Sequence, residues 1–111
     1  MNLAVRSRRA HPEMEIVRAV PCGVPGLAIN ADVIDPRTLI ITHVLSGYAV
    51  AYFPGVDGEA VLAAASELAK LTDWTQEGAD IADEVARYEV VDIASRWGGH
   101  CDGPPPIKEI G

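Results

Sequence analysis

The chain has 111 residues, 49% of them apolar, few aromatics and two cysteines, enough for one domain whose core needs neither metal nor disulfide. Sixteen acids against nine Lys and Arg give a net charge of −7, which disfavours direct nucleic-acid binding by the folded body, because phosphate contact requires a basic surface. No run approaches the roughly 18 apolar residues of a membrane span, and no apolar run follows the early arginines as in a secretory signal, so the expected location is cytoplasmic, where Cys22 and Cys101 stay reduced.

Residues 1–13 carry Arg6, Arg8 and Arg9 and the His11-Pro12 break, and read as a flexible basic arm. A single α+β domain is expected over 14–99, and an extended tail rich in proline (Pro104 to Pro106) over 100–111. Glu15 to Val20 is a strand candidate, ended by the turn-rich Pro21 to Gly26, and Leu27 to Asn30 is a second short one. Thr38 to Val44 and Tyr48 to Phe53 are rich in β-branched and aromatic residues and form a hairpin, with Gly47 supplying the positive φ of the turn. A two-residue turn would pair Val44 with Ala49, a three-residue loop His43 with Ala49, and the pattern leaves the register open.

Asp57 is placed to cap a helix, with Glu59 suiting its positive end. The Ala-rich stretch Ala60 to Leu71 puts Val61, Ala65 and Leu68 on one face. After a break at Thr72-Asp73, a second helix is expected from about Glu77 to Trp97. Ile81, Val85, Tyr88 and Val91 recur on it at three and four residues, and Gly98-Gly99 stops it. Strands first and helices after imply an antiparallel sheet of three to four strands followed by two helices packed on one face, and exclude a doubly wound nucleotide fold.

Charge is distributed unevenly: residues 57–92 hold ten acids against Lys70 and Arg87. On a helical reading Asp73, Glu77, Asp80 and Glu84 succeed one another at spacings of four, three and four. Such a row attracts a basic protein partner and speeds encounter with it; the plain alternative is a solvated helix face. Trp74 and Trp97 suit either interface anchors or fillers of a core poor in aromatics. Trp74, beside the stripe, joins Asp73, Glu77, Asp80 and Glu84 in the candidate partner surface.

Cys22, His43, His100 and Cys101 are the groups from which a small enzyme or metal site could be drawn. Neither a C-x-x-C nor an H-x-x-x-H pair is present to favour zinc. Nothing local orients a thiolate, and His43 reads as a structural histidine without a companion carboxylate on the hairpin. Pro21 to Gly26 lacks the Lys-Ser/Thr of a phosphate-binding loop. No catalytic residue, metal ligand or cofactor is assigned on these grounds.

Ile41 to Phe53 with its Ser-Gly hairpin, followed by the Ala-rich helix and Leu71-Thr72-Asp73-Trp74, resembles small uncharacterised proteins of phages and bacterial mobile elements, over about a third of the chain. That resemblance implies an accessory or inhibitor protein of such an element and assigns no active-site residue. Three classes therefore compete: a small acidic binding or regulatory protein, favoured here; an enzyme or metal-binding protein; and a module that self-associates into a homodimer through an edge strand of its hairpin.

Overall fold

Apolar runs in the first half of the chain pair into one antiparallel sheet, and the Ala-rich second half covers part of it. The computed structural model describes residues 1–6 and 14–101. Its strands are β1 (Asn2–Arg6), β2 (Met14–Pro21), β3 (Leu27–Ala31), β4 (Thr38–His43) and β5 (Ala49–Pro54), followed by helices α1 (Gly58–Leu68), α2 (Gly78–Glu84) and α3 (Arg87–Arg96). The sheet order is β1-β2-β3-β4-β5, each strand antiparallel to its chain neighbour.

Register assigns the two faces. Ile29 lies opposite Ile41, Ile41 opposite Ala51, and Leu39 opposite Phe53. Onto that face pack Val61, Ala64, Ala65 and Leu68 of α1, Ile81 and Val85, and Ile93 and Ala94 of α3. Small residues on α1 let the helix approach the sheet closely, as the Ala-rich pattern implies. Asp57 caps α1 as expected, its carboxylate accepting from the Glu59 amide at 3.1 Å. Between α1 and α3, Glu67 accepts from Arg96 (2.7 Å) and from the Trp97 indole Nε1 (2.6 Å), tying the two helices together.

A second, smaller cluster joins Leu3 and Val5 of β1 to Ala19 and Ala28. On the Ala28 side of the sheet, Thr42 Oγ1 donates to Asn30 Oδ1 at 2.7 Å while Asn30 Nδ2 donates to the Ala31 carbonyl. Both residues are buried, so this pair answers the polar groups the sheet removes from water. Replacing Thr42→Val keeps the shape and strands the Asn30 oxygen, with an expected loss of about 1–3 kcal/mol. A thermal denaturation midpoint equal to that of the wild type would refute this role.

Several sequence expectations are corrected. Among the described residues the sheet has five strands, not three or four, and there are three helices, not two. Asn2 to Arg6, expected in a flexible arm, form β1 and pair with Arg18 to Met14. Residues 7–13, with Arg8 and Arg9, lie outside the described residues. The tail expected from residue 100 begins with a sheet contact, since His100 and Tyr52 exchange both backbone hydrogen bonds at 2.8 Å; residues 102–111 lie outside the described residues. Neither hairpin register considered above holds. Thr42 pairs with Ala49, with an irregularity between Ile41 and Thr42, and His43 accepts the Gly47 amide on its carbonyl while donating its own to Tyr48. Gly47 does adopt positive φ, at 77°.

The expected helix from Glu77 to Trp97 is broken. Val85 (φ −115°, ψ 121°) and Ala86 (φ −71°, ψ 138°) are extended, which resets the helical phase. Ile81 and Val85 face the core from the first piece, but Tyr88 and Val91, which continue their three-and-four spacing, are exposed. Val90, Ile93, Ala94 and Trp97 take their place, a run at i, i+3, i+4 and i+7 with its own helical period.

Candidate functional site

The acidic stripe divides into a structural part and a free part. Asp73 lies in the loop before α2, where its Oδ1 accepts from the Thr75 hydroxyl (2.6 Å) and amide (2.9 Å). Those hydrogen bonds hold its carboxyl below the ordinary carboxylate range, the hydroxyl contributing most. At the other end, Glu84 Oε2 accepts from Thr72 Oγ1 at 2.5 Å and lies 3.4 Å from Gln76 Nε2. Two of the four predicted carboxylates therefore close the 72–84 turn upon itself.

Glu77 and Asp80 project from α2 and its N-terminal boundary, together with Asp83, and all three are exposed. At 100° per residue, residues 77, 80, 83 and 84 occupy an arc of about 120° that adjoins the side bearing Ile81. Among the described residues no cation stands within ion-pair distance of Glu77, Asp80 or Asp83. Asp92, by contrast, is paired with Arg96 at 3.3 Å. Beyond the break, the first turn of α3 presents Tyr88, 73% exposed, with Val91 one turn on. The Ile81, Val85, Tyr88 and Val91 spacing does not mark Tyr88 as exposed; the signal that could have done so is the competing phase of Val90, Ile93, Ala94 and Trp97.

Trp74 is not part of this surface. It is 4% exposed and belongs to the main core, its indole Nε1 donating to the Leu68 carbonyl at 2.8 Å. Its place in the candidate partner surface is corrected accordingly: a residue hydrogen-bonded inside the core cannot meet a partner in this conformation. Its ring meets that of His43 edge-on, with centroids 6.5 Å apart.

His43 holds the hairpin to the loop below it. Its Nε2 lies 2.9 Å from the Gln76 carbonyl and its Nδ1 2.7 Å from Ser46 Oγ. A carbonyl only accepts, so Nε2 carries a proton. In the neutral ring Nδ1 then accepts the Ser46 hydroxyl, whose oxygen takes the Tyr48 amide at 3.2 Å. With both ring nitrogens committed and the residue buried, His43 is organised as a structural clasp rather than as a general base. Thr72, Ser46 and Gln76, to which the sequence assigns no side-chain role, complete the network, and no motif in the chain announces it.

The remaining members of the enzyme alternative sit in different settings. Cys22 is buried in the main core with Sγ 3.4 Å from the Leu27 carbonyl. Cys101 packs partly buried against that core, and His100 stacks on Tyr52 with centroids 5.7 Å apart. Both cysteines are free thiols. Among the described residues no three His, Cys, Asp or Glu side chains are grouped so as to hold a metal ion, and no helix is long and apolar enough to cross a membrane. Comparison with protein families, curated proteins and solved structures finds no match.

Proposed function

We propose that this protein is a small acidic binding module whose α2 surface, formed by Glu77, Asp80, Asp83 and the outer edge of Glu84, engages a basic surface on a partner protein. The observation that carries this reading is the set of three exposed carboxylates on one short helical segment with no neutralising cation among the described residues. Such a field raises the encounter rate with a cationic partner and weakens as salt screens it over a Debye length of about 8–10 Å. Tyr88, in the first turn of the next helix, supplies the kind of amphipathic ring that anchors interfaces. An accessory or inhibitor protein of a phage or mobile element, the context implied by the sequence resemblance, is compatible with such a module.

Asp80→Lys combined with Asp83→Lys tests the proposal, because neither side chain makes a hydrogen bond among the described residues. The partner captured from cells of the source at low ionic strength is expected to fall by about tenfold or more, in line with the loss of electrostatic steering. Glu59→Lys on α1 serves as the charge control and should retain capture. Equal capture by the double variant and the wild type would defeat the proposal, as would capture insensitive to salt.

A further inference from the structure

The two edges of the sheet are treated differently. At β5 the chain covers its own edge, with His100 exchanging two backbone hydrogen bonds with Tyr52. At β1 nothing among the described residues pairs with the outer side of the strand. Five-residue β1 carries no proline and no bulge, and its one charged residue, Arg6, stands at its end and not at the two core positions, Leu3 and Val5, so few of the devices that blunt an edge are present.

Its hydrogen-bonding pattern can be read from the ladder. Met1 and Ala19 exchange two hydrogen bonds, 2.9 Å from Met1 N to the Ala19 carbonyl and 2.8 Å in return. Antiparallel ladders alternate bonded and non-bonded pairs. In the register Asn2↔Arg18 to Arg6↔Met14, Leu3 and Val5 therefore bond inward to β2, while the amides and carbonyls of Asn2, Ala4 and Arg6 point outward.

We propose that β1 is the contact of a homodimer, pairing antiparallel with β1 of a second copy about a twofold axis at Ala4. The strand is self-complementary in that arrangement. Ala4 faces Ala4 of the second copy, Asn2 faces its Arg6, and Leu3 faces its Val5, so no like charges stand directly opposite. The outward groups of residues 2, 4 and 6 meet their counterparts in six hydrogen bonds and make one ten-stranded sheet. One face gains a continuous row, Ile16–Ala4–Ala4–Ile16, from the observed pairing of Ala4 with Ile16. Ile16 is 69% exposed in the single chain, and this row gives it apolar neighbours. Beside Leu3 the opposite face brings Val5 of the second copy, extending the small cluster across the axis. A self-complementary patch of this kind closes at two copies.

The test is sedimentation equilibrium of the full chain at about 10–100 μM, the range in which a modest interface is populated, with amide hydrogen exchange read at several concentrations. A dimer is expected, with the Ala4 and Arg6 amides gaining protection as concentration rises. Ala4→Pro removes an outward donor without touching the inward ladder, and Ala4→Lys places two cations side by side on the axis; both are expected to sediment as monomers with the circular dichroism of the wild type. Should either variant fail to fold, exchange at the Ala4 amide of the wild type decides. A wild-type monomer throughout the range, a dimer whose Ala4 amide exchanges freely, or a folded Ala4→Lys variant that still dimerises would each overturn the proposal. Neither substitution touches α2, so partner capture by the acidic surface stands or falls separately.

Discussion

Gly26→Ala is expected to remove about 3–5 kcal/mol of stability, the sum of left-handed backbone strain and overpacking against a rigid neighbour. Gly26 adopts φ 92°, and a Cβ built on it would lie 2.3 Å from the Trp74 carbonyl oxygen and 2.7 Å from the Thr75 amide nitrogen. Neither atom can yield easily. The Trp74 backbone is held through its indole bond to Leu68, and Thr75 through its two bonds to Asp73. The other side of the contact is equally fixed, since the Gly26 carbonyl accepts the Val44 amide at 2.9 Å. Because a domain of this size has about 5–15 kcal/mol in all, the variant should unfold at a much lower urea concentration with an unchanged m-value. A midpoint within experimental error of the wild type would show that the loop gives way, against this account.

Trp74→Ala is the second large effect, at about 3–5 kcal/mol for emptying a large buried aromatic site. Beyond volume, the substitution leaves the Leu68 carbonyl without its indole partner and removes the ring that meets His43 edge-on. Trp74→Phe, which retains much of the ring, should cost less, about 0.5–1.5 kcal/mol for the lost indole hydrogen bond, because the Leu68 carbonyl still accepts the Leu71 amide at 3.0 Å. The pair of variants separates core from contact: where the Phe variant is folded it should capture partner as the wild type does. A Trp74→Ala protein with wild-type stability and lost capture would instead return Trp74 to the interaction surface.

Much of the fold was legible because local chemistry and tertiary packing agree there. The β-branched run from Thr38 and the aromatic-ended run up to Phe53 became β4 and β5, Gly47 took its positive φ, and Asp57 capped α1. Where packing chose between two local solutions, sequence reasoning took the wrong one. The spacing of Ile81, Val85, Tyr88 and Val91 is a sound helical period, but Val90, Ile93, Ala94 and Trp97 form a second with a different phase. The core uses the first as far as Val85 and the second thereafter. No glycine or proline marks the junction at Val85-Ala86, so nothing local signals it. β1 was missed for a related reason: five residues that include an arginine acquire their strand character from pairing with β2. Of the candidate surface, Glu77 and Asp80 were legible by their spacing. The capture of Asp73 by Thr75 and of Glu84 by Thr72 depends on a turn whose geometry no residue pattern specifies.

The meander has a consequence for how the molecule comes into being. Among the described residues the five strands are encoded before residue 55 and the three helices after residue 57, so synthesis from the N-terminus delivers the hairpin stack ahead of the layer that shelters it. Each strand needs only the one before it, so short-range zipping is quick. The nascent sheet nevertheless carries Ile29, Ile41 and Phe53 bare toward water until about forty more residues have been added, roughly 2–8 s at ordinary elongation rates. During that interval the chain is at its stickiest, and crowding of ribosomes on one message brings such half-finished sheets side by side.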